Sequence, residues 1–134
     1  MNTHDTMQVV ICILSSSILS VIASAFILDP IKDRRKYIFD EKKIVYNSII
    51  IFAQIFLYPK EAQFSLSVER YDIQNLPYEI IQVNALNDLK MSIPKLKLIS
   101  KNKNVVKSVE EFIIYKNEEK FELLVNSLRN DLYK

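Results

Sequence analysis

Apolar residues fall along this chain in two different ways. From Met7 to Leu28 the sequence MQVVICILSSSILSVIASAFIL runs for 22 residues without a charge. At 1.5 Å per residue, such a helix spans the roughly 30 Å hydrocarbon thickness of a bilayer. Serines 15, 16, 17, 20 and 24 dilute the run, but a Ser hydroxyl can bond back to a carbonyl one turn earlier, which makes it tolerable in lipid. Beyond Leu28 the apolar positions become periodic. Asp29-Pro30 offers an N-cap residue and a first-turn proline, so a new helix is expected to start there rather than the old one continue straight. Ile31, Ile38, Val45 and Phe52 then recur every seven residues as far as about Leu57, and Ile49 and Phe56 join them only in the second half. The predicted buried stripe is therefore narrow at first and broad later. The stretch Ile44 to Leu57 is 14 residues long and contains Asn47, Ser48 and Gln54, which is short for a bilayer. It reads as a central core helix, with a membrane-inserted or interfacial segment as the alternative.

Tyr58-Pro59 closes that helix, and residues 60–76 read as irregular or weakly helical linker. Phe64, Leu66 and Val68 alternate with polar residues, as do the lysines and apolar residues of Lys95 to Ile99, so strands near 64–68 and 95–99 in a small α+β domain are the rival arrangement. Around Pro77 another helix starts, with Leu86, Leu89, Ile93 and Leu96 at helical spacing and a bend at Pro94. After a break at Ser100 and KNKN, a further helix turns Val105, Val109, Phe112 and Ile113 inward. Asn117 separates it from the last, striped by Phe121, Leu124, Leu128 and Leu132. The expected fold is all-α: one N-terminal transmembrane helix and a small bundle of about four helices. The organisation is a short extracytoplasmic tail (1–6), a membrane helix (7–28) and a helical domain (29–134).

Charge gives the apolar run a direction. Every Lys and Arg lies after residue 28, and Lys32, Arg34, Arg35 and Lys36 crowd the C-terminal flank, which by the positive-inside bias sets the N-terminus outside and the domain in the cytoplasm. The expected location is the cell (inner or plasma) membrane, single-pass. A cleavable signal peptide is the alternative, since Ala23-Ser24-Ala25 has a small-x-small form; against it, no basic residue precedes the run and Phe26, Ile27 and Leu28 prolong it. The same four basic residues are candidates for contact with anionic lipid headgroups. Ser16, Ser20 and Ser24, four apart, form a candidate helix-pairing face.

Candidate chemistry is sparse. The chain has one His (His4), one Cys (Cys12) and no Gly. A single chain therefore cannot assemble a zinc site or a Cys/His pair, and glycine-dependent phosphate loops and nucleophile elbows are excluded in standard form. Adjacent acids such as Glu110 and Glu111 point about 100° apart on a helix and read as solvated faces. No cofactor is expected, and no enzyme. Nucleic acid is not an expected partner, because Asp29, Asp33, Asp40 and Glu41 interleave with the basic cluster.

The membrane helix, the exit segment from Asp29 to Tyr46, the stretch from Ser100 to Phe112 and the end from Glu119 to Leu132, with its Arg129-x-Asp131-Leu132, resemble a group of small uncharacterised bacterial and phage-encoded proteins. These carry an N-terminal membrane helix, a cytoplasmic helical domain and an R-x-D-L ending. The resemblance implies architecture and no activity. Arg129 and Asp131 lie two apart on a helix and do not face each other, so each is expected to pair with another helix or an earlier turn. The function expected is a membrane-anchored interaction or scaffold module at the cytoplasmic face. Its partners would be the lipid bilayer and either a second copy (homo-oligomer) or another protein. The alternative is a membrane-perturbing small protein of the toxin or phage-exclusion type.

Overall fold

A computed structural model describes residues 2–134, and every side chain in that span except those of Ser67, Glu69 and Arg70. The chain divides into two compact units, Met1–Ile38 and Phe39–Lys134. Among the described residues every regular element is helical.

In the first unit, α1 (Thr3–Ala23) passes into a π-helical turn (Ser24–Leu28) and then directly into α2 (Asp29–Leu57). The helix break expected at Asp29-Pro30 does not occur. The Asp29 N–H reaches back five residues to the Ser24 carbonyl, so one wide turn sits just ahead of the proline. Pro30 lacks the N–H that would bond the Phe26 carbonyl, and its ring crowds that carbonyl. A π-turn loosens the ladder where it must yield, and helix continues. Capping signals mark a helix start only if the preceding residues leave the helix, and here they do not.

The second unit is built around the later part of α2. Val45, Tyr46, Ile49 and Ala53 on one face join Leu89 and Leu96 of α4 (Tyr78–Ile99), Val105, Val109 and Phe112 of α5 (Lys103–Tyr115), and Leu124 and Leu128 of α6 (Glu118–Leu132). Ile51 and Ile55, on the opposite face, pack with Ala62 of α3 (Pro59–Gln63), Val68, Ile73, Ile81 and Ala85. A helix that buries two opposite faces must be apolar nearly all round. That is why residues 44–57 have the hydropathy of a membrane span and the position of a core helix. Phe112 anchors the larger cluster, with the rings of Phe56 and Phe121 edge-on to it at 6.3 and 6.2 Å.

The α+β alternative is overturned at both places. Residues 95–99 lie inside α4, and Leu66–Tyr71 form a 3-10 turn. In a strand Phe64, Leu66 and Val68 would share a face, yet Phe64 and Leu66 are 82% and 86% exposed while Val68 is buried. The connection is held by Gln63, whose buried amide donates to the carbonyls of Ile73 (3.2 Å) and Leu76 (2.8 Å). Gln82 donates to the Phe56 carbonyl at 2.9 Å, satisfying one of the acceptors that the end of α2 leaves open.

Asparagine caps start the last two helices. Asn102 accepts from the Asn104 N–H (3.0 Å) and Asn117 from the Lys120 N–H (2.8 Å). The end of α5 is less well suited to its sequence. Lys116 adopts the left-handed conformation, φ 53° and ψ 43°, at a position that favours glycine, and the chain has none. Lys116→Gly is therefore expected to stabilise the second unit by about 0.5–1 kcal/mol, the left-handed strain relieved outweighing the added unfolded-state entropy. Urea unfolding of the detergent-solubilised chain checks this, and Lys116→Val is expected to shift stability the other way.

Candidate functional site

The most constrained polar group is Asp131, at the C-terminal end of α6. Its side chain is only 7% exposed, and three donors converge on one carboxylate oxygen, Oδ2. Lys42 Nζ lies at 3.0 Å, Ser100 Oγ at 3.0 Å, and the Tyr46 hydroxyl donates to the same oxygen. Lys42 and Tyr46 are one helical turn apart on α2, so both side chains fall on the same face. Ser100 caps the C-terminus of α4, and its oxygen also accepts the Asn102 N–H at 3.2 Å. A single oxygen thus ties α2, the α4–α5 corner and α6 together. The rings of Phe39 and Tyr133, 6.2 Å apart, pack edge-on in the same part of the unit.

The electrostatics follow from this geometry. Burial alone would push the Asp131 carboxyl up. The bonds from Tyr46, Lys42 and Ser100 and the Lys42 charge outweigh it and hold the group below the usual carboxylate range. Burial, and then the bond to the Asp131 carboxylate, push the Tyr46 hydroxyl well above its ordinary value. Both pKa values are driven away from neutral pH, so Asp131 stays ionised and Tyr46 stays protonated and uncharged. A general acid or base works best with a pKa near the operating pH. This arrangement suits fastening rather than proton transfer.

The structure places the residues singled out from sequence as follows. Lys32, Arg34, Arg35 and Lys36 occupy the first turns of α2, all exposed, and none has an ion-pair partner among the described residues. Ser16 and Ser20 lie on one face of α1, and Ser24 opens the π-turn. The Ser16 hydroxyl donates to its own helix at the Ile13 carbonyl, 2.9 Å away, as Ser17 does; Ser15 reaches the Ile11 carbonyl at 2.5 Å. Among the described residues no three His, Cys, Asp or Glu side chains gather so as to hold a metal ion.

Two groupings were not found from sequence. The Asp131 network joins positions 42, 46, 100 and 131, and no local pattern links them. The second is an open groove of about 640 Å³ at the α4–α5 corner, bordered by Lys97, Lys101, Lys103 and Lys107, with Glu110 the one acid on its wall. Its signal was visible in the lysine-rich stretch KLKLISKNKNVVK, here divided between two helices by a sharp corner.

No protein-family model, curated protein or solved structure matches this chain.

Asp131→Ala is expected to destabilise the second unit by ~2–4 kcal/mol, since it leaves the Tyr46 and Ser100 hydroxyls without their acceptor and Lys42 without its counter-charge. Tyr46→Phe should cost about 1–2 kcal/mol. The pH dependence has a definite sign. The folded carboxyl titrates below its unfolded value near 3.8, so its contribution is complete above that value and is lost as pH falls through the folded one. The stability advantage of the parent over Asp131→Asn should hold flat from about pH 8 to 5 and shrink only below about 4.

Proposed function

We propose that this protein is a membrane-anchored helical interaction module, with its N-terminus outside, residues 7–28 across the bilayer, and the second unit at the cytoplasmic face. The observation that carries the reading is the contrast between two apolar stretches. The helix that begins at Thr3 is long and apolar enough to cross a membrane, and no residue from Met7 to Leu28 is buried against the protein. The apolar residues of 44–57 are instead largely interior to the second unit. An uncovered apolar helix of this length needs lipid or a partner around it. The basic residues that follow it, Lys32, Arg34, Arg35 and Lys36, are free of ion pairs among the described residues. They suit both orientation and contact with anionic headgroups. The Ser16, Ser20, Ser24 face offers a seam for close helix approach within the bilayer.

Reporter fusions test it. A reporter at Tyr58 and another at Lys134 are both expected to read cytoplasmic, and the chain is expected to stay with membranes through alkaline extraction. Opposite readings at the two positions would favour insertion of residues 44–57 and a membrane-perturbing role. Release of a shortened chain beginning after Ala25 would establish a signal peptide in place of an anchor.

A further inference from the structure

The α4–α5 corner joins an exposed apolar residue to a concentration of positive charge. Leu98, near the end of α4, is 85% exposed. Within the stretch from Lys95 to Lys107 there are five lysines and no acid. Lys97, Lys101, Lys103 and Lys107 border one groove, of which Leu98 is also a wall. Of these lysines only Lys107 has an ion-pair partner among the described residues, Glu111 at 3.9 Å. Apolar side chains ringed by long basic ones suit the boundary between headgroups and acyl chains, where the apolar tip enters and the ammonium groups stay among phosphates.

The position of this corner in the fold adds a second argument. Ser100 is fastened through Asp131 to Lys42, so the corner sits at the end of the second unit where the chain enters it. Lys42 is 14 residues beyond Leu28 along the chain. The corner is thus tied to a residue close in sequence to the anchor, whereas Phe64, another large exposed apolar side chain, follows the far end of α2.

We propose that the α4–α5 corner, with Leu98 at its centre and Lys95, Lys97, Lys101, Lys103 and Lys107 around it, is a docking face for an anionic bilayer surface. This rests on the anchored reading above and adds a second, fold-built contact to the basic cluster at residues 32–36. Docking would hold the unit against the membrane and leave its other faces for a partner.

The test uses the full chain in lipid nanodiscs, with Cys12→Ser removing the native thiol and an environment-sensitive fluorophore on Leu98→Cys. With phosphatidylserine present the label should move to an apolar environment, and quenchers attached to lipid chains should dim it about twofold more than in phosphatidylcholine alone. High salt or the combined Lys97→Gln, Lys101→Gln and Lys103→Gln changes should abolish that difference, while a label on Phe64→Cys should not respond to lipid charge. A Leu98 label indifferent to lipid composition in a chain that remains in the nanodisc would overturn the docking face and leave the anchor standing. A change that follows protein concentration rather than lipid charge would overturn it in favour of self-association. Loss of the chain from the nanodisc would overturn both readings.

Discussion

The second unit depends on one constraint: α2 must bury two opposite faces at once. Ile49 and Ala53, fully buried on one side, meet α4, α5 and α6; Ile51 and Ile55 on the other meet α3, the connection after it and the start of α4. Everything else in the unit is arranged around that helix. The last three helices wrap one side in chain order, and the segment from Pro59 to Leu76 covers the other. Interior helix packing is apolar but weakly directional, so something must fix the rotation of α2 about its axis. The Asp131 carboxylate does this with donors from Lys42, Tyr46 and Ser100. It sits at the entry end of the unit, where the stripe of α2 is still narrow and packing alone specifies least.

Much of this was legible in the chain because helical periodicity is local information. The stripes of the last two helices, Val105-Val109-Phe112 and Leu124-Leu128, lie in the core, and the widening of the α2 stripe after Val45 matches where burial begins. The all-α fold follows from the same signals. What misled was alternation without context. Leu96 and Leu98 alternate with lysines as a strand would, yet on α4 they point to opposite sides, Leu96 into the core and Leu98 to the surface. Period two and an apolar residue on each face of a helix look alike over five residues.

Two other features were illegible for different reasons. The Asp29-Pro30 pair carries the chemistry of a helix start, but Asp29 keeps helical angles, φ −65° and ψ −46°, although a residue before proline disfavours them. The preceding turn absorbs the conflict by widening, an adjustment that depends on the helix on both sides of it. The Asp131 network is non-local altogether. That Asp131 would pair outside its own turn followed from geometry, while the identity of its partners, up to 89 positions away, needed the fold. A chain without glycine also shows where it would have used one, at Lys116.

Residues 44–57 belong to the folded interior, and on the proposal above residues 7–28 belong to the bilayer. Hydrogen exchange on the full chain in nanodiscs, followed through a urea series, separates the two directly. The amides of α2 from Val45 to Ile55 should lose protection in the same step as those of α5 and α6, while amides between Val9 and Ile22 stay protected by lipid at every urea concentration. Protection of Val45 to Ile55 that outlasts the unfolding of α5 and α6 would contradict the account and place that helix in the membrane.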